Sequence, residues 1–220
     1  MPRKQRNQSE FEAVKNTILQ NALTLMNKAG FEGFTMKKLA QMMGVTTPAI
    51  YSYYRNKDEL YLGILTAGFE MLFQKLKQAC RECTDPFDKL KALIEAYMDF
   101  GLGNANFYNL MFTWHVPKYN DYIGTAQEEV AHRELVTALQ VTNLALAMIK
   151  ECAAAAGRPL AEEDARFYLV QNWSTVHGYI AGVNNELIHY MHESPLSVRD
   201  RMLDAMAAGF RGEMEQRSRR

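Results

Sequence analysis

The chain has 220 residues, enough for one domain or a small domain joined to a larger one, and its 48% hydrophobic and 23% charged residues exclude a disordered, collagen-like or coiled-coil chain. The formal net charge is zero, but residues 1–60 hold nine Lys and Arg against five Asp and Glu, which leaves the remainder acidic. A basic first quarter is typical of a segment that binds an anionic partner, although a difference of this size also arises by chance.

Helical patterns extend along the whole chain, whereas the alternation of apolar and polar residues that marks strands is nearly absent. Ser9 and Glu12 form a capping box that predicts the start of the first helix. Apolar residues then recur every three or four positions up to Gly30, where we expect the helix to end.

Two short helices follow the first one. Thr35 can cap the second helix, which ends at Gly44, and the third starts at Thr46 or Thr47 because Pro48 is tolerated in a first turn. Helices this short are unstable alone, so they must pack as a pair on the first helix. The arrangement is a helix-turn-helix, which places its second helix in the major groove of DNA. An αα-corner in an unrelated helical protein has the same spacing.

Further caps and breaks divide the rest of the chain. Asn56 with Glu59 predicts the start of a long fourth helix. Later elements are a helix opened by Asp85 and Pro86, helices over residues 104–115, 121–156 and 162–192, and a last helix from Ser194 or Ser197 onward. The sequence therefore predicts an all-α protein of about nine helices, with a small N-terminal helix-turn-helix and a larger helical body.

Three sequence features occur together between residues 34 and 60. They are the Gly44-Val45 turn, the Ile-Tyr-x-x-Tyr sequence over residues 50–54, and the Lys-Asp-Glu-Leu sequence over residues 57–60. With these features, residues 11–65 resemble the DNA-binding domain of TetR-family transcriptional regulators. The resemblance implies a homodimer that binds a palindromic operator on double-stranded DNA, most often as a repressor, and is released by a small-molecule inducer.

The resemblance also implies a division of the chain. Residues 1–56 are expected to form the N-terminal arm and the helix-turn-helix. Residues 57–220 are expected to form the ligand-binding and dimerisation domain, and the helix from Lys57 links the two.

The same resemblance assigns DNA-binding residues. Those expected to contact phosphates are Thr35, Lys37, Tyr51 and Lys57, and those expected on or beside the groove-facing surface are Thr46, Thr47, Pro48, Ala49, Ser52 and Tyr53. Hydroxyl groups and a helix N-terminus suit phosphates, and Pro48 and Ala49 can touch a thymine methyl group. Residues 46–53 contain no Arg, Gln or Asn, so direct base reading is expected to be modest. The basic arm with Arg3, Lys4 and Arg6 either adds DNA contacts or is a solvated tail.

Two segments of the larger body extend the resemblance. Trp173-x-x-x-His177-Gly178 matches an element of one group of TetR C-terminal domains, and residues 106–112 resemble their short aromatic helix. The residues that share the Trp173 stripe of the predicted helix are His177, Ile180, Asn184, Leu187 and Met191. Candidate ligand-pocket residues are Phe100, Phe107, Met111, Phe112, Trp114, His115, Tyr119, Trp173 and His177, although the same side chains also suit plain core packing.

The resemblance further implies that the last two helices pair with those of a second chain in a four-helix bundle. Leu203, Met206 and Phe210 form an apolar edge there and are expected at this dimer interface. Without the resemblance, such an edge indicates only core packing.

Other classes of function have weaker support. Glu129-x-x-His132 and Glu186-x-x-His189 have the spacing of a ferritin-like di-metal bundle, but such a site needs two more inward-facing glutamates. Cys80-x-x-Cys83 alone does not make a zinc site, but it leaves thiol sensing open. Control by a protein partner instead of a small molecule also remains open. We expect no enzyme activity, metal or cofactor, because phosphate-binding loops and nucleophile motifs are absent from the sequence.

The cellular location follows from two further observations. The most apolar stretch, residues 135–149, is interrupted by Thr, Gln and Asn, so we expect no membrane-spanning helix. The first residues are polar and basic rather than apolar, and the three cysteines are an odd number. We therefore expect a cytoplasmic protein.

Overall fold

The structure is a computed structural model that describes residues 8–217, and within these residues all regular elements are helical. The helices are α1 (Gln8–Gly33), α2 (Met36–Met42), α3 (Thr47–Tyr51), α4 (Lys57–Arg81), α5 (Pro86–Gly103), α6 (Ala105–Tyr108), α7 (Tyr119–Tyr122), α8 (Glu128–Ala155), α9 (Glu162–Asn184) and α10 (Arg199–Arg217). A π-helical segment, Asn109–Thr113, follows α6, and 3₁₀ turns at Ile188–Tyr190 and Pro195–Val198 precede α10. The all-α prediction is confirmed. The basic arm with Arg3, Lys4 and Arg6 lies outside the described residues.

The chain divides into two compact units. Unit 1 contains residues 8–68 and Leu110–Leu135, and unit 2 contains Phe69–Asn109 and residues 136–217. The sequence predicted a single boundary after residue 56, whereas each of the two compact units consists of two separate segments of the chain. As a boundary between functional domains, it stays a prediction.

Local capping groups begin three of the helices as the sequence predicted. The hydroxyl of Thr35 accepts a hydrogen bond from the backbone N–H of Lys38 at 3.2 Å. The Asn56 side chain accepts one from the backbone of Glu59 at 2.8 Å, at the start of α4. The Asp85 carboxylate accepts two backbone N–H groups in the first turn of α5. Each cap satisfies N–H groups that the first turn of a helix leaves without partners.

Glycines with positive φ also lie where the sequence placed helix ends. Gly30 has a φ of 73° and interrupts α1, and Gly44 has a φ of 67° after α2. A residue with a side chain would be strained in this conformation. Gly44 therefore allows the tight turn between α2 and α3, whose Leu39 and Ile50 side chains are buried in unit 1.

Three predicted helix boundaries are wrong. Gln8 is already helical, so Ser9 lies inside α1 and does not cap it. The predicted helix over residues 121–156 is divided, because the chain turns at Gly124 with a φ of 77° and the Glu128 carboxylate accepts the Gly124 N–H at 2.8 Å. The predicted helix over residues 162–192 ends at Asn184, since Glu186 has a φ of 60°.

The third boundary changes the Trp173 stripe. Leu187 and Met191 follow the end of α9, so they do not share its face with Trp173. Asn184, the last residue of α9, donates a hydrogen bond to the Gly101 carbonyl of α5 at 3.0 Å. The stripe is therefore confined to the helix that ends at Asn184.

Helix α8 is long and apolar enough to cross a membrane by length and composition, and little of its apolar stretch is buried. The sequence predicted no such helix, because polar residues interrupt the segment. Helices of soluble all-α proteins also reach this hydropathy, so the property alone does not indicate a membrane.

Candidate functional site

The predicted DNA-binding residues form a surface around α3 in unit 1. Ile50 is 1% exposed and anchors α3 to the core. The residues with exposed side chains are Thr35, Lys37, Thr46, Pro48, Tyr51 and Ser52, and those that are half-buried are Thr47, Ala49, Tyr53 and Lys57. None of the ten is buried. Their DNA contacts stay a prediction.

The hydroxyl groups of this surface differ in availability. The Thr35 hydroxyl caps α2, and the Ser52 hydroxyl donates to the Ala49 carbonyl at 2.7 Å. Thr46 occupies the N-cap position of α3 without a side-chain capping bond. The first turn of α3 therefore presents the Thr46 hydroxyl, a group of the kind that binds phosphate oxygens.

Two aromatic residues of α1 hold side chains of this surface, and neither was predicted from the sequence. The Phe11 ring stacks on Tyr53 with centroids 4.8 Å apart. The Lys57 ammonium donates a hydrogen bond to the Phe31 carbonyl at 2.6 Å and lies 3.9 Å from the centroid of the Phe31 ring. Neither pair leaves a signal in the sequence, because Phe31 and Lys57 are 26 positions apart.

A group of ionisable side chains lies behind the first turn of α4, also in unit 1. The Tyr61 hydroxyl donates to the Pro117 carbonyl at 3.1 Å, and the Tyr122 hydroxyl donates to the Asp58 carboxylate at 3.2 Å. Glu134 of α8 is 8% exposed, and this burial raises its pKa to about 7, while the Lys118 ammonium acts in the opposite direction. Partial desolvation lowers the pKa of Lys118, although its side chain is exposed overall. Burial therefore shifts the ionisation of the Glu134 carboxyl from the acidic range towards neutral pH.

We expect the Glu134→Gln variant to lose a pH dependence of stability that the wild-type protein has. The pKa of Glu134 is raised from 4.5 to about 7 in the folded chain, so the stabilisation from the neutral carboxyl is complete below pH 4.5. It is lost as the pH rises through 7. The wild type should therefore lose on the order of 3 kcal/mol between pH 4.5 and 8 relative to the variant.

Urea unfolding of both proteins at pH 5, 6, 7 and 8 measures this difference. Other titrating groups are common to both proteins and cancel in the comparison. Parallel curves of unfolding free energy against pH would show that Glu134 ionises normally.

In unit 2, Trp173 and His177 belong to a hydrogen-bonded aromatic cluster. The Trp173 indole N–H donates to the Tyr97 hydroxyl at 2.9 Å, and the indole ring stacks on His177 with centroids 4.6 Å apart. The Tyr108 hydroxyl and His177 Nδ1 are hydrogen-bonded at 2.8 Å. Burial raises the pKa of Tyr97 to about 12 and lowers the pKa of His177. Internal partners favour the interpretation of Trp173 and His177 as packing residues, and a ligand role for them stays a prediction.

The other candidate pocket residues fall in both units. Phe100 and Phe107 are buried in unit 2, and Met111 is buried in unit 1. The remaining candidates, which all lie in unit 1, are Phe112, Trp114, His115 and Tyr119. His115 is exposed, and the other three are half-buried.

The structure changes the interpretation of the predicted dimer residues. Leu203 and Phe210 are 3% and 6% exposed in the single chain. The Phe210 ring lies 5.4 Å from the ring of Tyr168 and 6.3 Å from that of Phe87, all within unit 2. Both side chains are therefore part of the protomer's own core. Met206 is half-buried, and a dimer contact stays a prediction for all three residues.

The structure also bears on the alternative metal and thiol functions. Residues 8–217 contain no group of three or more His, Cys, Asp or Glu side chains able to hold a metal ion. The three cysteines are free thiols, and burial raises the pKa of Cys80 and that of Cys152, the latter to about 12. A raised pKa lowers the thiolate fraction and hence the reactivity towards oxidants.

Comparisons with known proteins agree with the arrangement of α1 to α4 and the helical body. Residues 18–64 match the family described as bacterial regulatory proteins, tetR family, and residues 90–209 match the tetracyclin repressor-like C-terminal domain. The transcriptional activator FasR of Mycolicibacterium smegmatis is 33% identical over 98 residues, which are 44% of this chain and 42% of FasR. The chain thus spans less than half the length of this curated relative.

Solved structures share the fold over nearly the whole chain. The putative regulatory protein SCO4313 has a TM-score of 0.71 at 20% identity and covers 94% of this chain and 100% of its own. FadR from Bacillus subtilis, solved in complex with stearoyl-CoA, has a TM-score of 0.66 at 15% identity and covers 87% and 97%. The C-terminal match alone includes more than half of the chain. The chain therefore belongs to the TetR family of transcriptional regulators, which bind DNA through an N-terminal helix-turn-helix followed by a helical C-terminal domain.

Proposed function

We propose that the protein is a cytoplasmic, homodimeric repressor that binds a palindromic operator and releases it when a small molecule binds the C-terminal helical domain. The observation that supports this most strongly is the exposed face of α3, which Ile50 anchors and which has hydroxyl groups at its first turn. A dimer presents two such helices to half-sites one helical turn apart. A ligand that prefers a different spacing of these helices opposes DNA binding by reciprocal coupling.

Selection of random duplexes by the purified protein at two salt concentrations tests this function. Electrostatic binding weakens steeply with salt, whereas a specific site survives. Recovery of an inverted repeat at the higher salt supports the proposal, and the absence of any enriched sequence contradicts it. The recovered operator then serves to test ligands, since an inducer dissociates the complex.

For the inducer, we propose an apolar molecule. On the unit 2 part of α8, Val136 and Leu139 are 45% and 43% exposed, which provides apolar surface that a ligand can cover. The similarity in fold to FadR, solved with stearoyl-CoA, makes a long-chain acyl-CoA the first compound to add to the operator complex. Coenzyme A without the acyl chain is the matched control.

Thr47→Ala is expected to change the preference among operator sequences more than the overall affinity. Thr47 is the first residue of α3 and is half-buried at the groove-facing surface. Losing one base-edge contact costs about 1–3 kcal/mol at one operator position and little elsewhere. Titration against single-position operator variants measures the effect.

The matched control is Thr17→Ala. Thr17 is exposed on α1 of the same unit, and its hydroxyl donates to its own helix. A uniform loss of affinity in Thr47→Ala would make Thr47 a residue that positions the protein on the phosphate backbone.

For the dimer, we propose that the exposed faces of α9 and α10 pack against a second copy of the chain. Phe167 and Val170 of α9 are 62% and 61% exposed. Gly178 of α9 and Gly209 and Gly212 of α10 have no neighbouring atoms within 4 Å of an added Cβ, so these helix surfaces are open to close approach. Exposed apolar side chains beside small residues suit helix packing between two protomers.

A further inference from the structure

The Lys57 ammonium makes two different contacts with Phe31, one with its backbone carbonyl and one with its ring. Lys57 is the first residue of α4, and Phe31 directly follows the positive φ of Gly30 in α1. The Lys57 ammonium is hydrogen-bonded to the Phe31 carbonyl at 2.6 Å, and it lies 3.9 Å from the centroid of the same residue's ring. One residue thus provides both a carbonyl acceptor and an aromatic face for one ammonium group.

The Phe31 ring is itself held in place. Its edge packs against the Tyr61 ring with centroids 4.9 Å apart and an interplanar angle of 67°. Tyr61 is fully buried, and its hydroxyl is bonded to the Pro117 carbonyl. The orientation of the ring is therefore determined by the core of unit 1.

A lysine ammonium has three N–H donors. The Phe31 carbonyl accepts one of them, and Lys57 is only half-buried, which leaves donors for a further acceptor. A flexible lysine loses side-chain entropy when it binds a phosphate. A lysine that is already held in one orientation loses less of this entropy, which is the advantage of preorganisation.

We propose that Phe31 is a positioning residue for DNA binding, which holds the Lys57 ammonium so that its remaining N–H groups contact an operator phosphate. The inference rests on the proposed function and on Lys57 as a phosphate contact. Phe31 itself does not touch DNA in this arrangement. Its ring acts through Lys57.

Phe31→Leu tests this role because it keeps the backbone carbonyl and removes the aromatic face. An exposed cation–π contact corresponds to about a two- to five-fold change in affinity, and we expect Phe31→Leu to weaken binding by this factor. The loss of affinity should be similar for the selected operator and for a random-sequence duplex, because the same phosphate contact forms in both. Phe31→Tyr retains the ring and should bind like the wild type.

A double-mutant cycle separates positioning from a general loss of structure. Lys57→Ala should weaken binding to both duplexes and lower the slope of log affinity against log salt by about one. Adding Phe31→Leu to Lys57→Ala should then change affinity no further. Phe11→Leu is the matched control, since it removes another exposed-surface ring contact of unit 1 and should have the same effect with or without Lys57.

The outcomes are distinct. An equal loss from Phe31→Leu in both backgrounds would overturn the proposal and make Phe31 a purely structural residue. An unchanged salt slope in Lys57→Ala would also overturn it, because Lys57 would then contact no phosphate. Failure of the wild-type protein to bind any operator would instead contradict the proposed function, and thermal unfolding of each variant identifies those that do not fold.

Discussion

Replacing Phe167 and Val170 together with glutamate is expected to convert the dimer into monomers and to weaken operator binding by about 10²- to 10⁴-fold. In the proposed two-fold interface each substitution occurs twice, so four added carboxylates would meet where we expect apolar side chains to pack. The affinity falls because the second half-site is no longer bound intramolecularly. The protomer should fold normally, since the two side chains are 62% and 61% exposed in the single chain.

Sedimentation velocity and operator titration measure the two parts of this result. The matched control is Gln74→Glu, which adds a carboxylate at an exposed position of α4 in the same unit. The control should remain dimeric and bind DNA like the wild type. A dimeric double variant with normal operator affinity would show that the interface lies on another surface.

Phe210→Ala is expected to destabilise unit 2 by about 3–5 kcal/mol. The Phe210 side chain is 6% exposed and fills the space between the rings of Phe87 and Tyr168. Removing the ring loses its buried apolar area and leaves a cavity that neighbouring aromatic rings refill only in part. The same substitution at a surface contact between protomers would lower the stability only through lost dimerisation, and it would have little effect in the monomeric Phe167→Glu/Val170→Glu protein.

Urea unfolding followed by circular dichroism, at one fixed protein concentration, measures this loss. Met202→Ala is the matched control on α10, because its side chain is only half-buried and should cost less. In the monomeric Phe167→Glu/Val170→Glu background, an unchanged unfolding midpoint on adding Phe210→Ala would return Phe210 to the dimer interface and remove it from the core.

The correct predictions of helix ends share a local cause. Thr35, Asn56 and Asp85 accept backbone N–H groups two or three residues away, and Gly44 needs only its own φ. Such features depend on neighbours that the sequence places next to each other. The break at Glu186 lacks such a signal, because an ordinary residue adopts positive φ there.

The roles of individual side chains depended on distant neighbours. Phe210 belongs to the same apolar edge as Met206, and only the positions of the surrounding rings show that Phe210 is buried in its own chain. Periodicity indicates which apolar residues share one face of a helix, but it does not indicate whether the same chain or a second chain packs against that face.

By itself, the sequence determined the all-α class, the helix-turn-helix and the family, because these depend on caps, turns and a local motif between residues 34 and 60. Only the tertiary structure shows that Lys57 is hydrogen-bonded to the Phe31 carbonyl, that Trp173 is hydrogen-bonded to Tyr97, and that Glu134 is buried. The physical reason is that hydrogen bonding, burial and the resulting pKa shifts arise from groups brought together across many positions of the chain, and periodicity contains no information on such pairs.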